Sequence, residues 1–130
     1  MMATGTFTVS LQPLDAYAPA AEGAAQGRMS IDKTFSGDLT ATSKGEMLTA
    51  MSPVKGSAGY VAIEKVAGSL AGKSGTFALQ HYGTMRAGAD SRLILEVVPD
   101  SGTGELAGLS GSMRIEQADG VHSYVLEYDL

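Results

Sequence analysis

The chain has no cysteine, so neither a disulfide framework nor thiolate chemistry is available to it, a pattern compatible with a reducing compartment. Long apolar runs are also missing: nothing approaches the roughly 18 consecutive residues a membrane helix requires. The first cation after the N-terminus is Arg28, so residues 1–14 lack the charged start of a secretory signal, and Thr6-Phe-Thr-Val-Ser-Leu11 alternates instead of running apolar. These features place the protein in the cytoplasm as an expectation. Cations are few and scattered, nine Lys and Arg against fourteen Asp and Glu, for a net charge of -5. Neutralising nucleic-acid phosphates or binding an anionic membrane surface needs clustered Lys and Arg, so neither partner is expected.

Only two histidines are present, His81 and His122, without a close pair at helical spacing. A metal site is therefore not expected, although both histidines and Glu64 would form a facial iron triad if they converged. No cofactor motif survives inspection. In Gly68–Ser74 the glycine that a phosphate-binding loop requires five places before Gly72 is replaced by Ala67, and a strand rather than a helix follows. Gly102, Gly104 and Gly108 are spaced one residue too long for a dinucleotide fingerprint. Ser110 is followed at once by Gly111, which breaks the nucleophile-elbow pattern. No cofactor is expected.

What the chain does have is two-residue alternation and glycine, 17 residues of it, about twice the average usage of roughly 7%. Residues 4–12 set Phe7, Val9 and Leu11 against Thr6, Thr8 and Ser10, as a half-buried strand does. An alanine-rich stretch, 14–26, interrupted by Pro19 and Gly23, reads as a loop over one end of the molecule. Further strands are expected over 28–35, 39–50, 60–66, 76–82 and 92–98, with Gly45 marking a bulge or sharp bend in the third. Turns are expected at 36–38, 53–59, 68–75, 88–91 and 99–102. The glycine-rich stretch 101–116 reads as a glycine-cornered hairpin, with no helix signal, leading into the tail 122–130; together these supply the last two strands. All four prolines fall between the expected strands. One domain of 130 residues with eight antiparallel strands follows, and glycines at the strand ends favour a closed β-barrel that leaves no free edge.

The polar residues worth following are those in phase with the core. On the fifth strand His81 shares its face with Phe77 and Leu79; on the last, His122, Tyr124, Leu126 and Tyr128 align. The fourth strand is ambiguous, with Tyr60, Ala62 and Glu64 on one face and Val61, Ile63 and Lys65 on the other. An inward Glu64 needs a partner or a raised pKa. Beside His81 it would serve as a general base and acid, with Tyr60, Tyr82 or Tyr124 donating to a ligand oxygen; otherwise the pair ties two strands together or lies at the surface. The methionines, Met29, Met47 and Met51 among them, suit either an adaptable apolar cavity or core filling.

Gly59-Tyr-Val-Ala-Ile-Glu64, Gly75-Thr-Phe-Ala-Leu-Gln-His81, Ser101-Gly-Thr-Gly-Glu-Leu-Ala-Gly-Leu-Ser-Gly111 and His122-Ser-Tyr-Val-Leu-Glu-Tyr128 together resemble an uncharacterised family of small bacterial proteins with an allene oxide cyclase-like β-barrel. The Gly-Thr-Gly segment is also similar to the corresponding hairpin of allene oxide cyclases and plant dirigent proteins. The resemblance implies an eight-stranded antiparallel barrel with a central cavity, in a superfamily whose plant members bind apolar or phenolic molecules and often self-associate. It implies no reaction. Allene oxide cyclases place a glutamate and asparagines near a catalytic water, and this chain has no asparagine.

The leading expectation is a binding module that accepts one small, mainly apolar ligand in the barrel lumen, contacted by Tyr60, Glu64, His81, His122 and Tyr124. The alternatives are an isomerase or cyclase using Glu64 and His81 as proton carriers, and a non-catalytic, self-associating barrel with its lumen packed shut.

Overall fold

In a computed structural model of the chain, residues 1–18 and 23–130 are described, with the backbone alone at Asp90. Eight strands follow one another: β1 Met2–Leu14, β2 Ala25–Gly37, β3 Leu39–Met51, β4 Ala58–Leu70, β5 Lys73–Arg86, β6 Ala89–Val97, β7 Ser110–Ala118 and β8 Val121–Asp129. Each pairs antiparallel with its neighbours in the chain, and β1 closes the sheet by pairing with β8. This is the expected closed antiparallel barrel. Closure satisfies the edge hydrogen bonds that an open sheet would expose to other chains.

The strands outrun the alternating segments read from the sequence, because the connections expected over 68–75 and 88–91 shrink to two residues, the length that the β7–β8 connection also has. β4 and β5 meet through Ala71 and Gly72, β5 and β6 through Ala87 and Gly88, and β7 and β8 through Asp119 and Gly120. All six residues have positive φ, between 49° and 83°, the backbone of the tight hairpin turn whose twist matches that of the strands. The loop expected at 88–91 is thus mostly strand, and the turn expected across 68–75 is confined to its middle.

Three other expectations are corrected. Pro13, expected between strands, lies within β1 opposite Met29. The ladders of β3 with β2 and with β4 pass through Gly45 without a register shift, so Gly45 is no bulge. A Cβ there would stand 2.0 Å from the Ile63 carbonyl oxygen, and glycine is needed because two backbones approach closely. The glycine-rich segment before β7 is not a hairpin corner; it holds a short 3-10 turn, Gly104–Leu106. That turn docks on β5 through the Thr103 amide and the Thr76 carbonyl, and it buries Leu106 and Leu109 completely.

These leucines plug one end of the barrel. Above them lies a core that includes Phe35, Leu39, Leu70, Phe77, Leu79 and Leu126, each at most 1% exposed. Towards the other end the inward-facing positions become wetter. Leu11 on β1 and Leu93 on β6 share the face of core residues on their own strands, yet they are 41% and 42% exposed. Met29, Met47, Tyr60 and Ile115 are half-buried in the same region. Among the described residues, one end of the barrel is therefore closed and the other open; the loop expected over 14–26 lies partly outside the described residues. Among the described residues no helix is long and apolar enough to cross a membrane.

Candidate functional site

Between the packed half and the open half lies a belt of buried polar side chains: Lys33 on β2, Ser43 on β3, Glu64 on β4 and His81 on β5, all at most 5% exposed. The register settles the ambiguity of the fourth strand. Val66 and Leu70 point inward and are fully buried, so Glu64, Ala62 and Tyr60 point inward with them, while Val61 and Ile63 lie outside, more than half exposed. Gly45 is the direct cross-strand partner of Glu64, and the missing side chain at that position leaves room for the carboxylate beside β3.

Glu64 takes three hydrogen bonds. Lys33 Nζ donates to Oε2 at 2.8 Å, His81 Nε2 to the same oxygen at 2.7 Å, and Ser43 Oγ to Oε1 at 2.7 Å. The other imidazole nitrogen, Nδ1, lies 2.8 Å from the Tyr60 hydroxyl, and the two rings meet edge to face with centroids 5.4 Å apart. The Tyr60 ring covers Gly83, its partner across the β4–β5 ladder, where a Cβ would stand 2.7 Å from the ring. A continuous polar chain thus runs from a carboxylate with no solvent exposure, through an imidazole, to a half-buried phenol at the open end.

Burial by itself pushes the Glu64 carboxyl up. The hydrogen bond from His81, the Lys33 charge and the hydrogen bonds from Lys33 and Ser43 outweigh it, and the pKa falls from 4.5 to about 2. The Tyr60 hydroxyl is pushed up to about 12, first by burial and then by the negative charge of Glu64. At neutral pH the chain therefore carries an ionised carboxylate and a protonated phenol. A carboxylate with so low a pKa is a weak proton acceptor, and its place here is that of an anchor that orients His81.

Of the residues singled out in the sequence, Tyr60, Glu64 and His81 come together. Tyr124 does not join them. It is 1% exposed, and its hydroxyl receives the Leu39 amide hydrogen at 3.0 Å and bonds the Ser36 carbonyl at 2.9 Å, fastening β8 to the β2–β3 connection. His122 is half-buried and stacks on Phe7, ring centroids 5.1 Å apart. Among the described residues no three His, Asp or Glu side chains cluster as a metal site would require. Lys33 and Ser43 escaped the sequence reading as members of the site. Lys33 alternates in phase with Met29, Ile31 and Phe35, the one signal that a cation faces the lumen. Its ammonium also lies 4.9 Å from the centre of the Phe7 ring.

Two cavities, of about 580 and 680 Å³, are formed largely by outward-facing residues. They share Leu48, Val61 and Tyr82, which are cross-strand neighbours on the outer surface of β3, β4 and β5. Tyr17, in the connection after β1, borders the first.

Comparison with known proteins places the chain. The family described as "Protein of unknown function (DUF3224)" matches residues 3–128. A crystal structure of a protein of unknown function from that family, from Shewanella oneidensis MR-1, is 54% identical and superposes with a TM-score of 0.94 over 99% of this chain and 96% of that one. No curated protein matches the chain. With the match spanning nearly every residue of the barrel, the chain belongs to the DUF3224 family.

Proposed function

We propose that the open end of the barrel binds one small, mainly apolar molecule in the cytoplasm, with Tyr60 as its polar contact and His81 and Glu64 as the support behind it. The observation that carries this reading is the buried Glu64–His81–Tyr60 chain, which ends on a half-buried hydroxyl among inward-facing but solvent-exposed apolar side chains. A barrel of eight strands has an interior wide enough for one small ligand once side chains do not fill it. Methionine is suited to such a wall, because its flexible thioether adapts to irregular shapes. The likeness of the Gly-Thr-Gly segment to allene oxide cyclases and dirigent proteins agrees with a ligand-binding barrel, as an analogy of fold.

The 2.7 Å contact between Glu64 and His81 favours a second reading, a proton-transfer isomerase or cyclase. In that case His81 and Tyr60 carry the proton, because Glu64 is held ionised by Lys33. Methyl-carbon NMR spectra of the methionine, valine and isoleucine side chains, recorded during titration with 4-tert-butylphenol, test the binding site. Met29 and Met47 should shift with ligand while Met113, 4% exposed in the packed region, stays still. Shifts confined to the outer residues Val61 and Ile63, with both lumen methionines unmoved, would reject the lumen in favour of the external groove.

A further inference from the structure

We infer that the open end selects an uncharged alcohol or phenol, which donates its hydroxyl hydrogen to the Tyr60 oxygen. This rests on the reading of that end as a binding site and names its ligand class. The argument is one of hydrogen-bond polarity. Glu64 is ionised, and a carboxylate only accepts, so His81 Nε2 must carry the proton in the 2.7 Å contact. The same oxygen already receives the Lys33 ammonium at 2.8 Å. One carboxylate thus balances one ammonium, and a second positive charge on the imidazole would stand unbalanced in a site without solvent. His81 is then the neutral Nε2–H tautomer, and its Nδ1 is an acceptor.

Among the described residues the only donor at Nδ1 is the Tyr60 hydroxyl, 2.8 Å away, which remains protonated. Its single hydrogen is therefore spent on His81. What Tyr60 can still offer is a lone pair on its oxygen, so a ligand's polar group must bring its own hydrogen. Carbonyl compounds and carboxylates bring none. The nearby ammonium cannot serve them, since Lys33 is buried and engaged with Glu64. An ammonium ligand would bring hydrogens, but also a charge into an apolar opening beside a protonated lysine.

Three probes of similar shape separate the possibilities by isothermal titration at neutral pH. They are 4-tert-butylphenol, the methyl ether 4-tert-butylanisole, and 4-tert-butylbenzaldehyde, which only accepts. A net hydrogen bond of about 1 kcal/mol corresponds to a preference of roughly five-fold or more for the phenol over either analogue. In Tyr60→Phe anisole binding should change by less than about two-fold, because the ether brings no hydrogen to the Tyr60 oxygen. Equal binding of all three to the wild-type protein overturns the polarity argument and leaves the binding site standing, as does preference for the aldehyde. No binding of any probe overturns both. The wild-type comparison alone decides the matter should the variant fold poorly.

Discussion

Replacing Glu64 with Gln tests the central contact of the barrel, because the change keeps the side chain's shape and removes its charge. In the wild-type protein the carboxyl pKa lies at about 2 instead of 4.5, and that displacement is worth about 3 kcal/mol of stability in favour of the ionised form. The fold binds the carboxylate more tightly than its protonated form, so the stabilisation is complete above pH 4.5 and lost progressively as the pH falls from there to about 2. In Glu64→Gln the buried Lys33 side chain has no carboxylate partner at any pH. Breaking a buried pair in this way costs about 3 to 5 kcal/mol, in accord with the displacement of the pKa.

Urea unfolding followed by far-ultraviolet circular dichroism at pH 7, 5, 4 and 3 provides the comparison. At pH 7 the variant should be less stable by about 3 kcal/mol, a fall of roughly 10 °C in melting temperature for a chain of this length. As the pH drops, the gap should close from the wild-type side, because protonation of Glu64 removes from the wild type what substitution removed from the variant. Other carboxylates titrate in both proteins and cancel in the difference. A gap below about 1 kcal/mol at pH 7, or a gap of constant size down to pH 3, would refute the assignment of Glu64 as a buried, ionised partner of Lys33.

Two further outcomes check the register and the close approaches. Gly45→Ala places a Cβ 2.0 Å from the Ile63 carbonyl oxygen and 2.8 Å from the Glu64 Cα, so it should cost about 1 to 3 kcal/mol or more in chemical denaturation and shift the amide signals of both β3 and β4. Ile63→Thr, on the outer face and 57% exposed, should change stability by less than about 0.5 kcal/mol, whereas Leu79→Ala, fully buried opposite Glu64, should cost about 2 to 5 kcal/mol; similar losses for the two in thermal melts would contradict the assigned faces.

The barrel was legible because alternation is a local property of the chain, and residues such as Phe77, Leu79 and His81 declare their common face within five positions. Strand length was less legible. Ala71 and Ala87 adopt positive φ in the tight turns, a conformation that alanine does not advertise, so the sequence suggested longer loops. The orientation of β4 could not be read from alternation, since the outer face carries Val61 and Ile63 and looks as apolar as the inner one. It was fixed by pairing with strands on both sides. The tie between Lys33 and Glu64 joins residues 31 positions apart on strands separated by β3, across the space that Gly45 leaves. Nothing near either residue announces its partner. Gly45 itself was visible as unusual, but a close approach and a bulge leave the same mark in a sequence, a lone glycine in a strand pattern.

The polar belt is an inefficient way to hold a barrel together, and that bears on why it is there. Exchanging a buried ion pair for apolar side chains of similar volume is often neutral or stabilising by 1 to 4 kcal/mol, because two desolvation penalties vanish with the pair. Phe7, Phe35 and Phe77 already fill the neighbouring lumen, so apolar replacements would find contacts. The double variant Lys33→Met with Glu64→Leu should therefore match or exceed the wild-type stability at pH 7, while each single change loses about 3 kcal/mol or more by stranding the other charge. The same double variant removes the carboxylate that orients His81, and with it the preference for a hydroxyl-bearing probe over its methyl ether. A double variant less stable than either single one would show that the belt is there to hold the fold. Stability retained together with loss of discrimination would separate the two roles and assign the belt to the open end of the barrel.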